Sequence, residues 1–152
     1  VKGPNVFAGY WRNPEKTAAE FRADGFFITG DLGFMDAECR VSIVGRAKDL
    51  VITGGYNVYP AEVEALVDAI PGVAESAVIG LPHADFGEEV TAVIALRPGA
   101  TLDADGVRAA LEGQLARFKQ PRRILFVDRL PRNAMGKIQK KELRETFGAG
   151  GS

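Results

Sequence analysis

The chain contains one cysteine, Cys39, one histidine, His83, and one tryptophan, Trp11, in 152 residues. A lone cysteine excludes a disulfide framework and any multi-cysteine metal site, and a lone histidine excludes a histidine metal cluster. No run of 18 apolar residues occurs, so no bilayer-spanning helix is expected. The opening Val1-Lys2-Gly3-Pro4-Asn5 has no initiator Met and no apolar stretch behind it. It does not read as a signal peptide; it reads as the interior of a longer gene product, and with the single cysteine it points to the cytoplasm. Also missing are a Ser-His nucleophile signature, a His-Glu-x-x-His zinc motif and a Gly-x-Gly-x-x-Gly dinucleotide fingerprint.

What is present suffices for one ordinary core with an attached piece: 46% of residues are hydrophobic and 26% charged. The net charge of −1 hides a split. Residues 117–144 carry ten basic side chains against Asp128 and Glu142, a net +8 that leaves −9 for the rest. A solvated surface, a small phosphorylated ligand and nucleic acid each account for such a segment. Nucleic acid ranks last, because the whole chain is not basic and no Arg/Gly/aromatic recognition motif occurs.

Residues 1–47 are rich in Gly and aromatics. Pro14 suits the first turn of a helix through Glu20, with Asn13 as its N-cap. Phe26 to Ile28 reads as a strand running into Asp31, and Val41 to Val44 as its hairpin partner across Asp36-Cys39. From Lys48 the texture changes. Leu50 to Ile52 and Tyr56 to Val58 flank Gly54-Gly55. Pro60 opens a helix whose Val63, Leu66, Val67 and Ile70 share one face. Strands are expected at Val73–Leu81 and Glu89–Leu96, joined by a polar loop over residues 82–88. A helix from Asp103 to Leu115, a strand at Ile124–Val127, a loop over 131–136 and a helix from Gln139 to Phe147 complete the order. The fold class is α+β: a three-stranded sheet, a two-stranded hairpin and packed helices, followed by a flexible tail over residues 148–152.

Few residues suggest chemistry. Asp31 ends an apolar stretch beside Gly30, where a carboxylate can accept from two ribose hydroxyls, or be an ordinary turn residue. Arg46 can donate to the same sugar or a phosphate, or lie on the surface. Lys137 follows Gly136 and precedes a helix, a place for a mobile cation near phosphate oxygens or for a surface lysine. It is no P-loop, since Pro131 and Ile138 stand where Gly and Ser or Thr are required. Gly54-Gly55-Tyr56 is a tight turn. Glu62 and Glu64 do not face one another on a helix, which argues against a paired-carboxylate site. His83 is read as structural in its loop and Cys39 as incidental.

The ordered set of short segments resembles the C-terminal part of the adenylate-forming superfamily: acyl-CoA synthetases, peptide-synthetase adenylation domains and luciferases. It comprises Gly9-Tyr10-Trp11, Pro14-Glu15-Lys16-Thr17, Thr29-Gly30-Asp31, Gly45-Arg46-Ala47-Lys48-Asp49, Gly54 to Glu64, Phe118-Lys119-Gln120-Pro121 and Leu130 to Ile138. Pro131 to Lys137 and Tyr10 to Pro14 are similar to malonyl-CoA synthetase-type acyl-CoA ligases in particular.

The resemblance implies residues 1–47 as the β-rich tail of a larger N-terminal domain and 48–147 as a small mobile C-terminal domain. It implies a two-step ligase: carboxylate and ATP give an acyl-adenylate and pyrophosphate, then the CoA thiol displaces AMP. By likeness, Lys137 is the catalytic lysine of the first step, and Asp31 and Arg46 bind nucleotide. Lys48 is the hinge, where the family has Asp or Lys. Gly54, Gly55 and Tyr56 form the thioester-stage hairpin along the CoA tunnel, and Lys119, Arg122 and Arg123 are contacts for CoA phosphates. Mg²⁺ accompanies ATP, with its ligands outside this stretch and no metal site within it. The partners implied are a small carboxylate, ATP, CoA and the rest of the same protein, with no nucleic acid and no membrane span. The isolated chain is expected to be inactive. The alternatives are an adenylation domain loading a carrier-protein thiol, and a non-catalytic basic module binding anions or nucleic acid.

Overall fold

A computed structural model describes residues 1–148. The chain divides into two compact units, Val1–Ala47 and Lys48 onward.

In the first unit, helix α1 (Pro14–Glu20) starts where the Pro14 ring presets φ, and the Asn13 side chain accepts from the Lys16 N–H at 3.0 Å. Strands β1 (Asp31–Met35) and β2 (Val41–Arg46) pair antiparallel. Their turn is built on Asp36, whose carboxylate accepts from the backbone N–H groups of Glu38 and Arg40 and from Arg40 Nε at 2.7 Å.

The strand expected at Phe26–Ile28 does not form. Phe27 makes only an isolated bridge to Phe21, and the continuous strand begins at Asp31. Gly25 and Gly30 bracket the apolar run at φ 83° and 72° and break its extension. Phe27 instead joins Phe7 and Phe21 in a cluster of rings with centroids 5.1–5.4 Å apart. No residue of this unit is buried.

The second unit carries the core. Strands β3 (Val51–Thr53) and β4 (Tyr56–Val58) form a hairpin. Gly54 and Gly55, at φ 56° and 83°, supply the two left-handed positions that a two-residue turn requires. Helix α2 (Pro60–Asp68) buries Pro60, Val63 and Val67. The polar loop expected over 82–88 shrinks to three residues, since β5 (Val73–His83) and β6 (Gly87–Leu96) pair through Pro82 and Glu88. β5 is an edge strand, and Pro82 is tolerated there.

Helix α3 (Ala104–Leu111), capped by Asp103 on the Gly106 N–H, stops four residues short of the expected Leu115. Gly113 turns the chain at φ 75°, yet Leu115 still packs into the core. β7 (Arg123–Val127) runs parallel to β6, a connection that needs the crossover α3 provides. Helix α4 (Lys140–Gly148) ends on the residue expected to open the tail; residues 149–152 lie outside the described residues.

The expected three strands and the hairpin are both present, and one pairing, Thr53 with Gly87, joins them into a five-stranded sheet. Successive side chains of β6 point to opposite faces. Val90, Ala92 and Ile94 pack with Val63, Val67, Val107 and Leu111, while Val93 packs with Ile79, Leu81, Leu130 and Leu143.

Leu111 is 1% exposed and Ile52 is 50% exposed. Leu111→Ala is therefore expected to destabilise the chain by about 2–5 kcal/mol through the cavity it leaves, and Ile52→Ala by much less, as read from urea unfolding. In the first unit, the Arg40 backbone N–H, then its guanidinium, hold the Asp36 carboxyl below its ordinary value. A depressed acid stabilises above its unfolded pKa of about 3.9 and loses that contribution as pH falls through the lower folded value. The side-chain carboxyl resonance of Asp36 in NMR is expected to titrate below the ordinary aspartate value of about 3.9.

Candidate functional site

The residues singled out in the sequence fall into three places. Asp31 and Arg46 are cross-strand partners at the open end of the β1–β2 hairpin. Arg46 Nε lies 2.9 Å from Asp31 Oδ1, and Arg46 Nη1 also reaches the Thr29 carbonyl. The Asp31 N–H donates to Thr29 Oγ1 at 3.2 Å, which fixes the strand end. The pair thus presents a carboxylate and a guanidinium side by side, the donor and acceptor set that a ribose and a phosphate need.

Lys137 sits on a turn shaped by hydrogen bonds. Asn133 Oδ1 accepts from the N–H groups of Met135 at 3.0 Å and of Lys137 itself at 2.9 Å. The Asn133 N–H donates to the Lys137 carbonyl at 2.9 Å, and the Gly136 N–H to the Asn133 carbonyl at 2.9 Å. Gly136 adopts φ 77°, which closes the turn. Arg132 donates to the Gly136 carbonyl and to Glu75 on β5. The sequence reading missed Asn133, Arg132 and Glu75; Asn133 alone carried a local signal, because Asn side chains bond backbone a few residues on.

Lys137 lines one open depression with Lys48, Asp49, Asn133, Gln139 and Arg144. Lys48 lies in a short 3-10 turn, Ala47–Asp49. The charge split resolves here. Lys140 pairs with Glu64 at 2.7 Å, Arg144 with Asp49 at 2.9 Å, Lys119 with Glu62 at 2.6 Å, and Arg132 with Glu75. Four of the ten basic residues are thus answered by carboxylates of the acidic body and Lys141 by Glu145, while Arg117, Arg122, Arg123, Arg129 and Lys137 form no ion pair among the described residues. Among the described residues no carboxylate pairs with Lys48 or Lys137.

The hairpin tip is the third place. The Gly54 N–H donates to the Phe86 carbonyl at 2.9 Å. The Tyr56 ring stacks on Phe118 with centroids 4.7 Å apart, and the Arg122 guanidinium lies over the Phe86 ring at 4.1 Å. His83, the last residue of β5 and not a loop residue as expected, packs on Phe86 and accepts from the Asp85 N–H, a structural part at the loop's edge. Lys119, Arg122 and Arg123 do not converge as free cations. Lys119 is bound to Glu62, Arg122 lies on an aromatic face, and Arg123 pairs in β7 opposite Thr91. Among the described residues no group of three or more His, Cys, Asp or Glu side chains could hold a metal ion, and no helix is long and apolar enough to cross a membrane.

The family model described as the AMP-binding enzyme C-terminal domain matches residues 62–137. The chain belongs to this family. Among relatives of the AMP-binding C-terminal domain, an octahydroindenyl-propanoyl:CoA ligase of Rhodococcus jostii is 50% identical over 145 residues, 95% of this chain and 28% of the relative. Among solved structures, ATP-bound MatB of Rhodopseudomonas palustris is 65% identical, with a TM-score of 0.89 over 97% of this chain and 29% of that one. The apo structure of MatB, 66% identical over the same shares, gives a TM-score of 0.71. The chain therefore spans less than a third of the length of these relatives. Their AMP-binding C-terminal stretches share its α+β fold.

Proposed function

We propose that the chain is the C-terminal part of an ATP-dependent, AMP-forming acyl-CoA ligase and supplies the lysine of its adenylation step. The observation that carries this reading is Lys137. It is an ammonium without a carboxylate partner among the described residues, on a turn whose backbone is fixed by Asn133, within a segment where every other lysine and two of the six arginines are paired. A cation so placed offsets the charge that builds up as a carboxylate oxygen meets the α-phosphate, and needs little reorganisation to do so. Asp31 and Arg46 hold the ribose and the nucleotide. The substrates are a small carboxylate, ATP and CoA, and Mg²⁺ travels with ATP on ligands outside this stretch.

The thiol then attacks the adenylate, and the Gly54-Gly55-Tyr56 hairpin borders its path; glycines there let pantetheine pass close to backbone. Arg122, presented on Phe86, is the better placed of the CoA-phosphate contacts, since Glu62 already neutralises Lys119. Two features support a rotation of the body between the steps, with Lys48, the first residue of the second unit, as its hinge. Glu75, which ties the Lys137 turn, lies near one end of β5, and His83, opposite Gly87 and the hairpin, lies at the other. Eight residues of strand separate these anchors by roughly 25 Å, so one centre cannot meet both without a turn of the body. The ATP-bound and apo forms of MatB match this chain with TM-scores of 0.89 and 0.71, a difference in keeping with such a turn. Residues 1–47 are then the tail of the larger domain and residues 48–147 the mobile one, in a cytoplasmic enzyme.

Lys137→Ala in the full-length protein is expected to slow adenylation roughly 10²–10³-fold, the scale of losing one preorganised electrostatic contact. Conversion of a preformed acyl-adenylate with CoA should remain near the wild-type rate. ATP–pyrophosphate exchange over a panel of carboxylates, malonate included, reads the first step, and thioester release the second. Equal losses in both would remove Lys137 from the role. The 152-residue chain by itself should form no thioester, because Asp31 and Lys137 lack the walls that hold the reactants. Free CoA tested beside a carrier protein separates the two acceptors.

A further inference from the structure

The turn that carries Lys137 has no packing of its own. Residues 132–137 are all exposed, Met135 by 76%. Backbone hydrogen bonds close it, and two sets of side-chain hydrogen bonds add to them, with different jobs. Asn133 shapes it from within, through the N–H groups of Met135 and Lys137. Arg132 attaches it to the sheet: one guanidinium nitrogen donates to the carbonyl of Gly136, the residue before Lys137, and another to Glu75 Oε2 on β5. Glu75 Oε1 also accepts from the Leu130 N–H at 3.4 Å, so one carboxylate grips the chain just before the turn as well.

We infer that Arg132, held by Glu75, is a positioning residue for Lys137; the inference rests on the reading of Lys137 given above. A lysine on a flexible stem delivers its charge accurately only if its backbone is fixed, and a displacement of about 1 Å at a reacting group can cost on the order of 10²-fold in rate. Arg132 meets both partners at once because its planar group carries several donors in a fixed fork, which a lysine ammonium cannot match. The pair is half exposed, at 46% and 26% of the side chains. Such pairs contribute little to global stability, so its effect falls on placement and not on folding.

The test uses the full-length enzyme with Arg132→Ala, Glu75→Gln, the double variant and Arg132→Lys. ATP–pyrophosphate exchange should fall roughly 10–100-fold in kcat for either single variant, with KM for ATP and the melting temperature little changed. Conversion of preformed acyl-adenylate with CoA should stay at the wild-type rate. The double variant should lose no more than the worse single one, and Arg132→Lys should fall between wild type and Arg132→Ala. The two single variants change net charge in opposite directions. A purely electrostatic part for Arg132 therefore predicts that Glu75→Gln speeds exchange, and that result would overturn the proposal. So would wild-type exchange in Arg132→Ala, or equal loss in both half-reactions. Lys137→Ala run alongside separates the levels. If it leaves exchange intact, the functional reading fails; if it abolishes exchange while Arg132→Ala does not, only the clamp is wrong.

Discussion

Strand β6 pairs with β5 along one side and with β7 and β3 along the other, and the second unit is organised around that shared backbone. Its side chains serve two cores at once, Val90, Ala92 and Ile94 toward α2 and α3, Val93 toward α4. The functional elements reach their places through it. The Gly54-Gly55 hairpin is attached where Thr53 meets Gly87, at the strand's first residue. The Lys137 turn is attached near its last residues, through Glu75, which sits opposite Ala95. A substitution that weakened β6 would loosen both ends together.

Charge acts as the second organiser. The four pairs from Lys119, Arg132, Lys140 and Arg144 to Glu62, Glu75, Glu64 and Asp49 link residues far apart in the chain. They are partly exposed and individually modest. Their collective result is selectivity of placement: carboxylates occupy the cations that build the body, and the ammonium groups of Lys48 and Lys137 remain available at one depression.

Features governed by local chemistry could be read from the residues. The Asn13-Pro14 helix start, the Gly54-Gly55 turn, the face of Val63 and Val67, and the order of elements from Lys48 onward all follow from neighbours within a few positions. Features governed by distant partners could not. Phe26 to Ile28 has strand composition, but the Phe27 ring finds Phe7 and Phe21 instead. The extent of β5 and β6 depended on the pairing of Pro82 with Glu88, which only the register reveals. Helix α3 ends at Leu111, and Gly113 two residues on turns a chain whose apolar pattern continues to Leu115. At the site, the type of Lys137 and its glycine neighbour were legible, whereas its support was not, because Arg132 and Glu75 are 57 residues apart.

Glu64 has a further consequence. β5 is an edge strand of eleven residues, largely apolar, and such an edge is a ready template for a strand from another molecule. The Glu64 side chain accepts the Val78 N–H at 2.7 Å through Oε1, the same oxygen that pairs with Lys140. A helix side chain thus plugs the middle of the edge, and the lysine beside it keeps the plug in register. The sheet is guarded there against edge-to-edge aggregation without a proline or a bulge at that point, so a small body proposed to swing through solvent can do so without offering its neighbours a strand to extend.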